Sequence, residues 1–180
     1  MVDRLILVGM MGAGKTTVGR QLADRLGWSH RDSDAEVVAS TGSTVPELFA
    51  ERGEEAFRAE ESRVLSEALS SPDPVVVSAA GGVVLSPANR DLLRRSGVVV
   101  WLRADPTLLA RRVGAGAGRP LLGDEPAARL VDLYEVRRPL YQEVAAAVVD
   151  VDGLTPTEVV DRLLGEPAVV GRGIGTGHGP

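Results

Sequence analysis

Gly9-Met10-Met11-Gly12-Ala13-Gly14-Lys15-Thr16 fits the pattern G-x-x-x-x-G-K-[ST], a spacing whose chemistry is the cradling of phosphate. Glycines let the backbone amides of such a loop turn inward toward phosphate oxygens. The helix that follows adds partial positive charge, and the lysine reaches the outer phosphates. Gly12, Ala13, Gly14, Lys15, Thr16 and Thr17 are therefore candidate ATP-binding residues, Lys15 with a catalytic role, and the Thr16 hydroxyl is a candidate magnesium ligand. Lys15 is the only lysine in a chain with 19 arginines, which points to a need for a compact ammonium that a planar guanidinium does not meet.

Three further groups could carry chemistry. Asp32 and Asp34 stand two apart, so in an extended stretch both would point the same way, Asp32 toward a metal and its water and Asp34 toward an attacking hydroxyl. A cap on a helix starting near Ala35, served by Ser33 or Asp34, is the other reading. Arg58 can pair with Glu54 at i−4 and Glu61 at i+3, and it lies close to Phe49 and Phe57, the only phenylalanines in the chain. That combination suits a cation beside an apolar wall for a small carboxylated ring, or equally a solvated charged helix face. Leu130, Tyr134, Arg137 and Tyr141 share helical spacing, so Arg137 falls on an apolar stripe where it needs an anion, unless it snorkels outward; Arg138 is nearly equivalent on spacing alone. Pro139 is expected to break or kink that helix. His30 and His178 read as incidental.

The elements around these residues are legible from hydrophobic periodicity. Leu5–Val8, Trp28–Arg31, Val75–Val77, Val98–Leu102 and Ala145–Val149 read as strands, and helical patterns separate them, beginning with Thr16–Leu26, which Gly27 stops. Alternation of this kind predicts an α/β fold: an open, parallel, five-stranded sheet with helices on both faces, whose ligands sit beyond the carboxyl ends of the strands. Gly114–Pro120 holds three glycines in five residues before Arg119, a composition suited to a mobile lid over about 112–124. A single domain over 1–164 is expected, with its acceptor segment at about 33–61, and a glycine-rich disordered tail over 165–180.

Composition narrows the classes. The chain has 180 residues, 44% apolar and 25% charged, with a net charge of −5 and a sequence pI near 5.1, so no overall basic field would draw it to nucleic acid or an anionic membrane. Having no cysteine, it has no disulfide framework, thiolate metal site or cysteine nucleophile. Regulatory GTPases usually read guanine with an Asn-Lys-x-Asp motif, which needs a second lysine. No signal-peptide pattern precedes the first apolar run, and no stretch approaches the ~20 apolar residues of a membrane span. A cytoplasmic monomer, and within the P-loop proteins a small-molecule kinase, is expected.

In these motifs, taken together, the chain resembles the shikimate kinase family, P-loop small-molecule kinases related in fold to nucleoside monophosphate kinases. The resemblance runs from about Leu5 to Leu164. It rests on the phosphate loop, Asp32-Ser33-Asp34, the Gly-Glu-x-x-Phe-Arg run at Gly53–Arg58, the turn at Gly81-Gly82, Arg119-Pro120, and Arg137-Arg138-Pro139-Leu140-Tyr141. It implies ATP-dependent phosphorylation of shikimate to shikimate 3-phosphate in aromatic amino acid biosynthesis, with magnesium as cofactor. By the same resemblance Asp34 holds the reacting hydroxyl, while Arg58, Gly81, Gly82 and Arg137 grip shikimate. Asp32 and Thr16 serve magnesium, Glu61 orients Arg58, Arg119 meets the transferring phosphoryl group, and Arg112 flanks the adenine.

Two positions depart from the family pattern: Ala80 replaces the first of three glycines, and Asp152-Gly153-Leu154 stands where a basic residue often faces adenine. Ser78 ends the third strand without the usual Walker B carboxylate, as in this family, which leaves that duty to Asp32. A kinase for another polyhydroxy acid such as gluconate, and a non-catalytic ATP-binding module, are the alternatives.

Overall fold

Valine-rich runs supply most of the strands in the computed structural model, which describes residues 4–113 and 126–170. β1 (Arg4–Val8) leads through α1 (Lys15–Leu26) to β2 (Ser29–Asp32), then α2 (Ser33–Thr41), α3 (Val45–Leu69) and β3 (Val75–Ser78). A short 3-10 turn at Val83–Leu85 precedes α4 (Pro87–Ser96), β4 (Val98–Arg103), α5 (Pro106–Val113), α6 (Pro126–Val144), β5 (Ala147–Asp150), α7 (Pro156–Gly165) and α8 (Pro167–Val170). All strand pairs are parallel, in the order β2-β3-β1-β4-β5. Every residue of β3 and all but the first of β1 are buried, as expected for strands covered on both faces, whose sequences read as continuous apolar runs rather than alternating ones.

Topology then places the functional cleft. The chain leaves β1 toward β2 but leaves β3 toward β4, in opposite directions across the sheet. Right-handed crossovers therefore set α1 on one face and α4 and α6 on the other; α7 packs against α1, and α4 against α6. The reversal between the adjacent strands β1 and β3 opens a crevice at their carboxyl ends. Residues 9–14 after β1 and 79–82 after β3 form its two lips.

Several boundaries differ from the sequence reading. β2 starts at Ser29 and extends to Asp32, and β5 is shifted to Ala147–Asp150. Pro139 lies inside α6 without ending it; it forfeits only the bond to the carbonyl of Glu135, which is exposed and can be satisfied by water. The expected tail begins later than 165: α7 runs to Gly165, and α8 seats Val169, 1% exposed, in the core. Arg112 and Val113 belong to α5 rather than to the lid. The rest of the lid, 114–125, and of the tail, 171–180, lie outside the described residues.

The α2–α3 segment has its own small core. Val37 of α2 packs with Leu48, Phe57 and Val64 of α3, and Thr44 starts α3 with a capping box closed by Glu47. Within α3, Gly53 takes a left-handed φ of 79° with ψ 175°, so the helix axis is broken there, at small cost because the residue has no Cβ. The break brings Phe49 onto Phe57, ring centroids 4.7 Å apart.

Candidate active site

A cavity of about 630 Å³ opens where β1, β2 and β3 end, within the size range of small-molecule sites. Gly12, Gly14, Lys15, Thr16 and Thr17 form its floor. Ala13 does not line it: the side chain is 3% exposed and the amide donates to the Met10 carbonyl at 3.2 Å, closing the loop from behind. Lys15 Nζ donates to the carbonyls of Gly9 at 2.8 Å and Met10 at 3.0 Å, so the ammonium is folded over its own loop. Arg112, from the last turn of α5, reaches the same loop and donates to the Gly12 carbonyl at 3.4 Å.

Asp32 has two duties. Its Oδ1 accepts from the amides of Asp34 at 3.1 Å and Ala35 at 3.2 Å, and its Oδ2 accepts from the Thr16 hydroxyl at 2.5 Å. The cap assigned from sequence to Ser33 or Asp34 thus belongs to Asp32, because the helix begins two residues earlier, at Ser33. That early start puts Asp34 in the first turn of α2, exposed and on the cavity wall, rather than beside Asp32 on an extended strand. Among the described residues no group of three His, Cys, Asp or Glu side chains could hold a metal alone. Thr16 Oγ1 and Asp32 Oδ2, both oxygens and both at the cavity, fit a magnesium ion that keeps water and phosphate oxygens as its other ligands.

The opposite wall is cationic. Arg58 Nη1 donates to Glu61 at 2.5 Å and Nη2 to Glu54 at 3.2 Å, while its guanidinium carbon lies 5.3 Å from the centroid of the Phe57 ring. Glu61 is 2% exposed; burial pushes its carboxyl up to about 7 against the pull of Arg58. Arg137 is 1% exposed, and its Nε and Nη2 have no hydrogen-bond partner. Arg138, equivalent by spacing, instead lies outside, 57% exposed and 3.7 Å from Glu135. Tyr141 donates to the Gly81 carbonyl at 2.6 Å, and burial pushes its phenol up to about 12.

The turn between Ser78 and Val83 is held from two sides. Ala80, 3% exposed, donates its amide to the fully buried Ser33 hydroxyl at 2.7 Å. No non-glycine residue among those described has a positive φ, so the methyl group of Ala80 sits in the turn without backbone strain. Position 82 has no such room, since Arg58 lies directly over it.

Sequence reasoning missed four contributors. Ser33 ties α2 to this turn, and Ser78 lines the cavity. His30, taken as incidental, places Nε2 2.9 Å from Ser78 Oγ, with burial holding the imidazole below its usual value. Asp152, flagged only as a missing basic residue, accepts from the amide of Asp105 with both oxygens, at 3.2 and 3.0 Å. Asp105 in turn accepts from the Thr107 amide at 2.8 Å at the start of α5, so Asp152 anchors the helix that carries Arg112. Arg119 lies outside the described residues.

The family model for shikimate kinase matches residues 11–166. A shikimate kinase of Halorhodospira halophila is 46% identical over 171 residues, covering 92% of this chain and 96% of that protein. One of Ruegeria pomeroyi is 48% identical over 162 residues, 89% of this chain and 82% of that protein. The structure of shikimate kinase from Acinetobacter baumannii in complex with shikimate superposes with a TM-score of 0.89 at 37% identity, covering 96% of this chain and 95% of that one. A gluconokinase from Sinorhizobium meliloti is a weaker likeness, with a TM-score of 0.54 at 25% identity over 93% of this chain and 90% of that one. With the family model matching residues 11–166 and a curated relative and a solved structure matching over most of its length, the chain belongs to the shikimate kinase family.

Proposed function

We propose that the phosphates of ATP lie along residues 12–17 and that shikimate sits between Asp34, Arg58 and Arg137, so that its hydroxyl meets the γ-phosphate beside Lys15. The reaction is that of the family: ATP phosphorylates shikimate to shikimate 3-phosphate, releasing ADP, in aromatic amino acid biosynthesis. The assignment of the acceptor's seat rests on Arg137. A guanidinium 1% exposed with two unbonded nitrogens has donors left over for a ligand, and a carboxylate matches its planar fork. Arg58, aimed by Glu61 and Glu54, is the second cation of that seat. Gly81 and Gly82 line the same cavity, and the bare backbone of Gly82 lets Arg58 lie across it.

Phosphoryl transfer leaves the protein mainly the work of alignment and charge neutralisation. Asp34 accepts a hydrogen bond from the acceptor hydroxyl and points it at phosphorus. Lys15, with Arg119 from the glycine-rich stretch, offsets the negative charge spreading over the γ-phosphoryl oxygens. Arg112 closes the nucleotide end of the cavity, near the adenine. Thr16 and Asp32 would hold magnesium, which would supply positive charge against the phosphates. The protein works as a cytoplasmic monomer, and its net charge of −5 supports the reading that it has no nucleic acid or anionic membrane partner. No helix among the described residues is long and apolar enough to cross a membrane.

Shikimate and its methyl ester, offered as alternative acceptors, test the carboxylate seat. Loss of the anion is expected to lower kcat/KM by about 100-fold. Equal turnover of the two would remove Arg137 and Arg58 from the acceptor site.

A further inference from the structure

His30 and Ser78 lie outside the roles assigned above, yet they join two strands to the start of the phosphate-binding helix. Ser78 Oγ is 2.8 Å from the carbonyl oxygen of Lys15 and 2.9 Å from His30 Nε2. The hydroxyl has one proton, and it is given to the Lys15 carbonyl, so Oγ accepts from His30 and Nε2 carries the hydrogen. The result is a directed chain from the imidazole of β2, through the last residue of β3, to the first residue of α1.

The fold leaves space for this chain. A Cβ at Gly19, on the next turn of α1, would fall 2.4 Å from Ser78 Oγ and 2.7 Å from His30 Nε2, so any other residue there would push the two groups apart. Register supports the same geometry: Ser78 pairs with Asp32 on one side and Leu7 on the other. The serine thus stands between the strand that bears the metal-side carboxylate and the strand that leads into the loop. Lys15 and Thr16 share the peptide whose carbonyl the serine holds.

We infer that His30 is a positioning residue for the phosphate-binding loop. By donating to Ser78 it keeps that hydroxyl turned toward the Lys15 carbonyl, and so fixes the backbone that carries Lys15 and Thr16 before nucleotide arrives. It touches neither substrate, and its effect falls on the nucleotide side alone. The inference rests on the reading that residues 12–17 receive the phosphates of ATP. Its test therefore uses nucleotide affinity, which requires no acceptor and is informative even if turnover of shikimate fails.

The experiment is calorimetric titration of MgADP into the parent protein and into His30→Phe, His30→Gln and His30→Asn, together with KM for shikimate. Phenylalanine keeps the ring but removes the donor; glutamine puts an amide nitrogen where Nε2 stood, and asparagine is too short to do so. His30→Phe and His30→Asn are expected to weaken MgADP about fivefold, leaving KM for shikimate unchanged, while His30→Gln binds MgADP as the parent does. Should the phenylalanine variant not fold, the asparagine and glutamine variants decide the matter between them. Parent-like affinity in the variants lacking the donor, an equal loss for both substrates, or a glutamine variant as weak as the asparagine one would each overturn the inference.

Discussion

Arg58 lies across Gly82: a Cβ at position 82 would fall 2.0 Å from its Nη1. The same guanidinium is paired with Glu61 at 2.5 Å and Glu54 at 3.2 Å. The bare backbone at 82 is therefore the seat of a cation already aimed by two carboxylates. Gly82→Ala would meet the far end of a long side chain rather than backbone, so the fold survives and the arginine moves. Steady-state kinetics should show KM for shikimate raised about tenfold with KM for ATP unchanged; an unchanged KM for shikimate would remove Arg58 from the acceptor wall.

Arg137 should trade stability for binding. Its buried Nε and Nη2 have no partner, and replacing such a cation by an apolar side chain of similar length removes a desolvation cost that Tyr141 and Glu61 offset only in part. Arg137→Met is predicted to raise the melting temperature of the free protein by about 3 °C while weakening shikimate by about 100-fold. Thermal denaturation and equilibrium binding check the two halves separately. A variant that melts lower and binds shikimate as the parent does would show that the guanidinium serves its contacts with Tyr141 and Glu61 and has no anion to receive.

The two aspartates can be separated because only Asp32 caps α2. Asp34→Asn should leave the melting temperature unchanged and reduce kcat by about 10²–10⁴-fold. Asp32→Ala should lower stability by about 1 kcal/mol through loss of the cap, and should raise the magnesium concentration needed for half-maximal activity. An Asp34→Asn enzyme with parental kcat would remove the carboxylate from the reaction.

Glu61 carries a pH signature. Its folded-state value of about 7 lies above the ordinary 4.5 because burial disfavours the charged form, with Arg58 only partly opposing it. The folded protein therefore holds a proton that the unfolded chain releases earlier. The resulting stabilisation is complete below about 4.5 and is lost as pH rises through about 7. Other carboxylates titrate with the opposite sign, Glu60 for one being held down at about 2 by Arg63 and Ser40, so the informative quantity is a difference. The melting temperature of the parent should fall relative to Glu61→Gln between about pH 5 and pH 8. A difference independent of pH would mean that Glu61 stays ionised throughout.

The parts of the site that were legible in the sequence are those whose geometry is local. The phosphate loop is eight consecutive residues between a buried strand and an amphipathic helix, and the pairing of Arg58 with Glu54 and Glu61 follows from helical spacing. Arg137 and Arg138 are neighbours on one helix, so only the packing of α6 decides which is buried. The ties between Ser33 and Ala80, His30 and Ser78, and Asp105 and Asp152 join residues 47 or 48 positions apart. Each depends on strand order and register, which leave no local trace. Val169 was missed for another reason: a short apolar pair in glycine-rich surroundings has no periodicity to read, although a single buried valine suffices to dock the turn.

In the proposed reaction the cavity joins MgATP to one carboxylated acceptor. The most direct test is the rate of ADP release from MgATP with shikimate, with gluconate and with no acceptor, using the full chain. Release stimulated by shikimate alone, with one shikimate 3-phosphate formed per ADP, is the predicted result. Stimulation by gluconate in place of shikimate, or nucleotide binding that no acceptor converts to turnover, would contradict it.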